Sequence, residues 1–137
     1  MTALTKDRAT PERDGRNFSD PLAAGATIYA GGMYLLDASG AAMPAAAQAG
    51  ATTLKVRAVA LTRAAASAGA TLVNGARGVF RMDNAAGSDE ITRAEISATC
   101  YALDDATVAK GHDTNKRPAA GAVVDVDDAG VWVRIGA

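Results

Sequence analysis

The chain has 137 residues, with 14 Lys and Arg against 15 Asp and Glu, a formal net charge of −1, and single His and Cys residues. That length suits one domain with its own core; the charge balance, without a basic block, excludes the cationic stripe of a nucleic-acid binder, and one Cys excludes an internal disulfide or a Cys-based zinc site. Hydrophobic residues make up 49% of the chain, but many are Ala, so the core is thin and favours an oligomer or docking onto a larger body.

Residues 1–17 read as an extended arm. Through Asp20 the chain carries Lys6, Arg8, Arg13 and Arg16 beside Asp7, Glu12, Asp14 and Asp20, and its large apolar side chains before Pro21 are only Met1, Leu4 and Phe18. Such a segment cannot bury itself, and Pro11 and Gly15 interrupt any helix. Seventeen extended residues reach at most about 55–60 Å, enough to cross onto a neighbouring subunit. Leu4, Lys6, Arg8, Arg13, Arg16 and Phe18 are the candidate contacts of this arm with another chain. Residues 18–137 are expected to form a single β-rich domain.

Short strand-like runs follow at Ile28–Ala30 and Met33–Leu35, split by Gly31-Gly32, and the second ends in a turn at Asp37–Gly40. Residues 54–62, LKVRAVALT, alternate, with Leu54, Val56, Ala58 and Ala60 on one face. Residues 63–70 read as a loop. Residues 71–84, TLVNGARGVFRMDN, read as one long strand in which Gly75 and Gly78 mark a bulge or bend. Thr92 as N-cap, Glu95 three residues on, and the Ile91–Ile96 staple predict a short helix over about 92–99. Strand character resumes at Tyr101–Leu103, and residues 109–121 read as an exposed loop. The C-terminal run closes as a hairpin around Asp127–Gly130. Val131, Val133 and Ile135 share one face of its second strand, Trp132 and Arg134 the other. The whole predicts a mainly β chain, a small barrel or sandwich with one short helix.

Motifs for chemistry are sparse. His112 lies in a polar loop and Cys100 follows the predicted helix, where a small buried residue is the simpler reading than a thiol nucleophile. Asp104-Asp105 and Asp125, Asp127, Asp128 lack the ligand order of a calcium loop and suit turns instead. No phosphate-cradling Gly motif or nucleophile elbow is present. The expectation is therefore a chain with no catalytic residues, no metal and no cofactor. Trp132 and Arg134 are residue types that dominate binding hot spots, and their strand alternation suggests that both sheet faces are covered, one by another subunit; they are the candidate oligomer interface. No stretch approaches the length of a membrane helix, and the N-terminus lacks a signal peptide's apolar core, so no membrane partner is expected and synthesis in the cytoplasm is.

Four stretches, MTALTKDRATPERDG, IYAGGMYLLDASGAAMPA, ARGVFRMDNAAGSDEITRAEISATCYALDDATVAK and PAAGAVVDVDDAGVWVRI, resemble the capsid cement (decoration) proteins of Mu-like tailed phages. GVFRMDN, DEITRAEI and GVWVRI are the most specific parts, and the Ala-rich segment 58–70 departs from a pattern that carries more charge there. The resemblance implies a structural protein of the virion that binds the outer surface of the head shell and reinforces it by bridging major capsid protein subunits. By analogy with other phage decoration proteins it implies a homotrimer. A β-sandwich binding module for a glycan or host surface is the alternative; it requires an exposed row drawn from Tyr29, Tyr34, Tyr101 and Trp132. A small enzyme built on Cys100 and His112 is a third reading, and requires those side chains to meet.

Overall fold

A computed structural model describes residues 2–46 and 53–136. The chain is mainly β, as its alternation and turn residues predict. Its strands are β1 (Asn17–Pro21), β2 (Thr27–Ile28), β3 (Met33–Leu36), β4 (Ala42–Pro44), β5 (Val56–Ala60), β6 (Ala64–Ala65), β7 (Leu72–Ala76), β8 (Gly78–Asn84), β9 (Thr99–Ala102), β10 (Thr107–Ala109), β11 (Ala119–Asp127) and β12 (Gly130–Ile135). Five of them form an open sheet in the order β1-β7-β5-β3-β4, five close a barrel in the order β10-β8-β12-β11-β9, and β2 pairs with β6.

Sheet and barrel share one core. Met33, Leu35, Val56 and Val59 from the sheet pack with Met82, Cys100, Val108, Val131, Val133 and Ile135 from the barrel. The opposite face of the sheet carries a second cluster, including Tyr34, Ala58, Ala60 and Val73, which Ile28 and Ala64 of the β2–β6 ribbon cover. Both faces of the sheet are thus filled, so its strands read as apolar runs rather than clean alternations. The strict alternation expected for residues 54–62 fails for this reason and for one more. Leu35 pairs with Val56 and Tyr34 with Ala58, leaving Arg57 as an extra residue. That bulge puts Val56 and Val59 in the barrel core, and Ala58 and Ala60 in the other cluster.

The expected long strand over 71–84 is two strands in different layers. The chain leaves the open sheet at Ala76 and enters the barrel at Gly78, so the bend signalled by the glycines is a passage between layers. The alternation expected at the C-terminus holds. Val131, Val133 and Ile135 are fully buried, while Trp132 and Arg134 point outward. The hairpin turn pairs Asp127 with Gly130. Irregularities in β11 at Ala119/Gly121 and Val123/Asp125 bend that strand, which helps five strands close. Gly121 is required there: its φ is 151°, and an added Cβ would meet the Arg134 carbonyl.

Three further expectations are corrected. The helix predicted over 92–99 is a single 3-10 turn at Arg93–Glu95. Its capping box forms, with Thr92 N–H donating to Glu95 Oε1 at 2.7 Å. Ile96 then turns extended and Ser97 takes a φ of 77°, because the Ser97 N–H is drawn to the Val123 carbonyl at 2.8 Å. Ile91 is buried and Ile96 packs against the same core, so the two apolar residues serve the barrel rather than a longer helix. Residues 63–70 are not only loop, since Ala64–Ala65 is β6 and Ala66–Ala68 a 3-10 turn. Residues 109–121 are not wholly exposed. Ala109 ends β10, and Arg117 is buried, bonded to the Gly111 carbonyl and to Asp89.

Candidate interaction surfaces

Residues 2–14 form no strand or helix and are exposed along their length. The first tie to the body is at Arg16, whose carbonyl accepts from Arg77 N–H at 2.8 Å. Asp14 Oδ1 accepts from Arg16 N–H at 2.9 Å, a local turn at the root of the arm. Leu4 is 71% exposed, and Lys6, Arg8 and Arg13 are exposed with it. Arg16 is exposed at the root. Phe18 is different. It lies in β1, packs against the second core cluster, and has the Arg57 guanidinium 3.8 Å above its ring centre. The residues expected to act together as arm contacts therefore divide into a free group and an anchor.

The anchor belongs to a network that sequence inspection did not find. Asp20 is buried in β1. It accepts from Tyr34 Oη at 2.8 Å and from Arg57 Nη2 and Nε at 3.1 and 3.2 Å. A buried carboxylate needs such partners. Burial, then the bond to Asp20, pushes the Tyr34 phenol well above the ordinary tyrosine range. The available signal was an acidic residue followed directly by Pro in a strand-like run, with an Arg interrupting an apolar one.

Trp132 and Arg134 lie on the outer face of the barrel. Trp132 is half-buried and donates from Nε1 to Asp127 Oδ2 at 2.9 Å. The same carboxylate accepts from Ala129 and Gly130 N–H at 2.8 and 3.1 Å. These bonds, the indole first, hold the Asp127 carboxyl below the usual range. Arg81 is opposite Trp132 and Val79 opposite Arg134, with the Arg81 guanidinium 5.9 Å from the indole. Val79 is 44% exposed. This outer face carries an aromatic, two arginines and an apolar side chain together.

Asp104 and Asp125 also engage their own backbone, at Ala106 and Val126 N–H, and Asp125 pairs with Arg93 at 3.0 Å. Among the described residues no His, Cys, Asp and Glu converge in a metal-binding group. Cys100 faces the barrel interior, where burial pushes its thiol up to about 12. Tyr101 is the next residue, so it faces outward, and it stacks edge-on with His112 at 5.5 Å. The thiol and the imidazole lie on opposite faces of β9 and do not meet. The aromatic row is not assembled either. Tyr34 is fully buried, Tyr29 is 57% exposed beside β2, and Trp132 sits on the barrel. No helix among the described residues is long and apolar enough to cross a membrane.

No protein-family model matches the chain, and no curated protein or solved structure matches it at a significant level. The resemblance to phage cement proteins rests on the sequence stretches quoted above.

Proposed function

We propose that this chain is a capsid cement protein of a Mu-like tailed phage, which binds the outside of the head shell and bridges major capsid protein subunits. The observation that carries the reading is the exposed arm, residues 2–14, rooted at a rigid β body through Arg16 and Arg77. A free segment with three basic residues (Lys6, Arg8, Arg13) and three acidic ones (Asp7, Glu12, Asp14) suits a surface of mixed charge. Each exposed pair contributes about 0–1 kcal/mol, and many copies on a closed shell make such contacts effective through avidity. The partners in this reading are the major capsid protein and further copies of the chain, as a homotrimer, on the virion exterior. The glycan or host-surface reading lacks a favouring observation, because its aromatic row is dispersed.

The test is decoration of expanded heads, imaged with and without the protein. Extra outer density is expected with the full chain and weaker occupancy with a chain lacking residues 1–14, which leaves Arg16 and β1 in place. Undecorated heads at saturating protein refute the reading; equal occupancy by the truncated chain refutes the role of the arm.

A further inference from the structure

The barrel is electrically polar along β8 and β12. Arg16, Arg77 and Arg134 line one cleft of about 400 Å³ at the Gly78 and Ile135 end, where Asp14 is the one acidic side chain among the described residues. The Arg77 guanidinium lies over Gly15, where an added Cβ would come within 3.0 Å of Nη2. Lys55 and Arg57 line an adjoining cleft that shares Arg77. At the other end Asp83, Glu90, Asp127 and Asp128 line a groove of about 770 Å³. Its one cation, Arg93, is held by Asp125 at 3.0 Å. The antiparallel register, Gly78 opposite Ile135 and Met82 opposite Val131, fixes these as opposite ends of the same strands. The seven residues of β8 separate them by about 20 Å. Among the described residues, Arg16, Arg77, Arg134, Asp83, Glu90 and Asp128 make no ion pair.

We infer that the basic cleft of one copy receives the acidic groove of another. Charge complementarity selects the occupant: the chain itself presents a concave acidic surface opposite in sign to these arginines, which make no ion pair among the described residues, although Arg77 Nη1 also donates to the Gly136 carbonyl at 3.3 Å. Opposite potentials steer encounter and fix orientation. Because the two surfaces are different patches of one molecule, the contact is head-to-tail, and a closed ring is the assembly that satisfies both ends of every copy. This deepens the self-association in the proposed function and rests on that part of it, not on capsid binding.

The experiment measures mass in solution by light scattering and sedimentation. The wild-type chain is expected to be an oligomer in about 0.05 M salt and to dissociate toward about 1 M, where screening shortens to about 3 Å. Arg16→Glu with Arg134→Glu, and separately Asp83→Lys with Asp128→Lys, are each expected to give monomers. Mixed in equal amounts, the two double variants are expected to associate into alternating, even-membered assemblies, since each then offers charges opposite to the other's at both ends and a three-membered ring would set two like variants against each other. That recovery also shows that both variants are folded. A wild type that is monomeric at low salt overturns the inference, as does one that retains a poly-glutamate peptide while staying monomeric, which would mark the cleft as a site for a foreign acidic chain. Variants that keep the wild-type mass, or a mixture that stays monomeric with both components folded by circular dichroism, overturn it too. A monomer that still coats heads refutes head-to-tail association alone, whereas an oligomer that does not coat them refutes the capsid reading alone.

Discussion

Tyr34 donates its phenol proton to Asp20 at 2.8 Å, and its ring occupies the space that Gly75 leaves without a side chain. Gly75 lies between Phe18 of β1 and Ala60 of β5. The ring therefore crosses β7 to reach the strand that continues from the arm. This contact ties the root of the arm to β3, across the intervening β7 and β5 of the open sheet.

Gly75→Ala is expected to destabilise the protein by about 1–3 kcal/mol, because the new methyl overlaps the Tyr34 ring and the site must shift. Tyr34→Phe is expected to cost about 1–3 kcal/mol by leaving Asp20 short of a partner. The double variant should lose less than the sum, since both changes act on one contact. Urea denaturation of the three variants checks this; full additivity would show that the ring and the glycine slot are independent.

Stability should fall at alkaline pH. The folded state holds the Tyr34 phenol above its ordinary value of 10.0, chiefly by burial, so its contribution is complete below about pH 10 and is lost as pH rises beyond it. The Cys100 thiol acts in the same direction, starting from 9.0 and rising to about 12 in the fold. Urea midpoints measured between pH 8 and 11 should decline, and Tyr34→Phe should decline less steeply. An identical slope in the variant would exclude the phenol as a source.

At acid pH the sign reverses for Asp127. Its folded value is depressed, first by the Trp132 indole and then by Ala129 N–H. Its contribution is present above the unfolded value near 3.8 and is lost as pH falls through the folded one. Trp132 is the only tryptophan, so its fluorescence should change as pH falls below the ordinary carboxylate range. Asp127→Asn should remove that step from the titration. A step that persists in the variant would assign it to another group.

Asn84 imitates a strand at the edge of the barrel. Its Nδ2 donates to the Ile91 carbonyl at 2.8 Å, and its Oδ1 accepts from Ile91 N–H at 2.9 Å. Asn84→Ala leaves both backbone groups of a buried residue unpaired and should cost about 1–3 kcal/mol. Amide exchange should accelerate at residues 85–95 ahead of the rest of the barrel. Uniform acceleration instead would mean that this segment does not open separately.

The sequence determined the strands whose signal is local. The Asp37–Gly40 turn is read from residues that bond their own backbone, and Asp37 Oδ1 does accept from Ser39 and Ala41 N–H. The C-terminal hairpin is equally legible, because Asp127 and Gly130 fix the turn and period-two burial fixes the faces. The capping box at Thr92 was readable for the same reason, though its length was not. Propensity can start a turn, but the Val123 carbonyl decides where the chain goes next.

Tertiary structure decided everything that depends on which strands become neighbours. The division of residues 71–84 between sheet and barrel, the bulge at Arg57 and the burial of Asp20 and Arg117 follow from pairings between distant segments. A sheet covered on both faces erases the alternation that would announce its strands. The candidate surfaces divide in the same way. The arm is an expectation from composition alone, which prevents that segment from forming a core. The opposed charges at the barrel ends were not legible there, since Arg16, Arg77 and Arg134 are scattered in sequence and converge only when β1 pairs with β7 and β8 with β12. Local chemistry writes turns and caps into the sequence; the potential of a surface exists only once the barrel has closed.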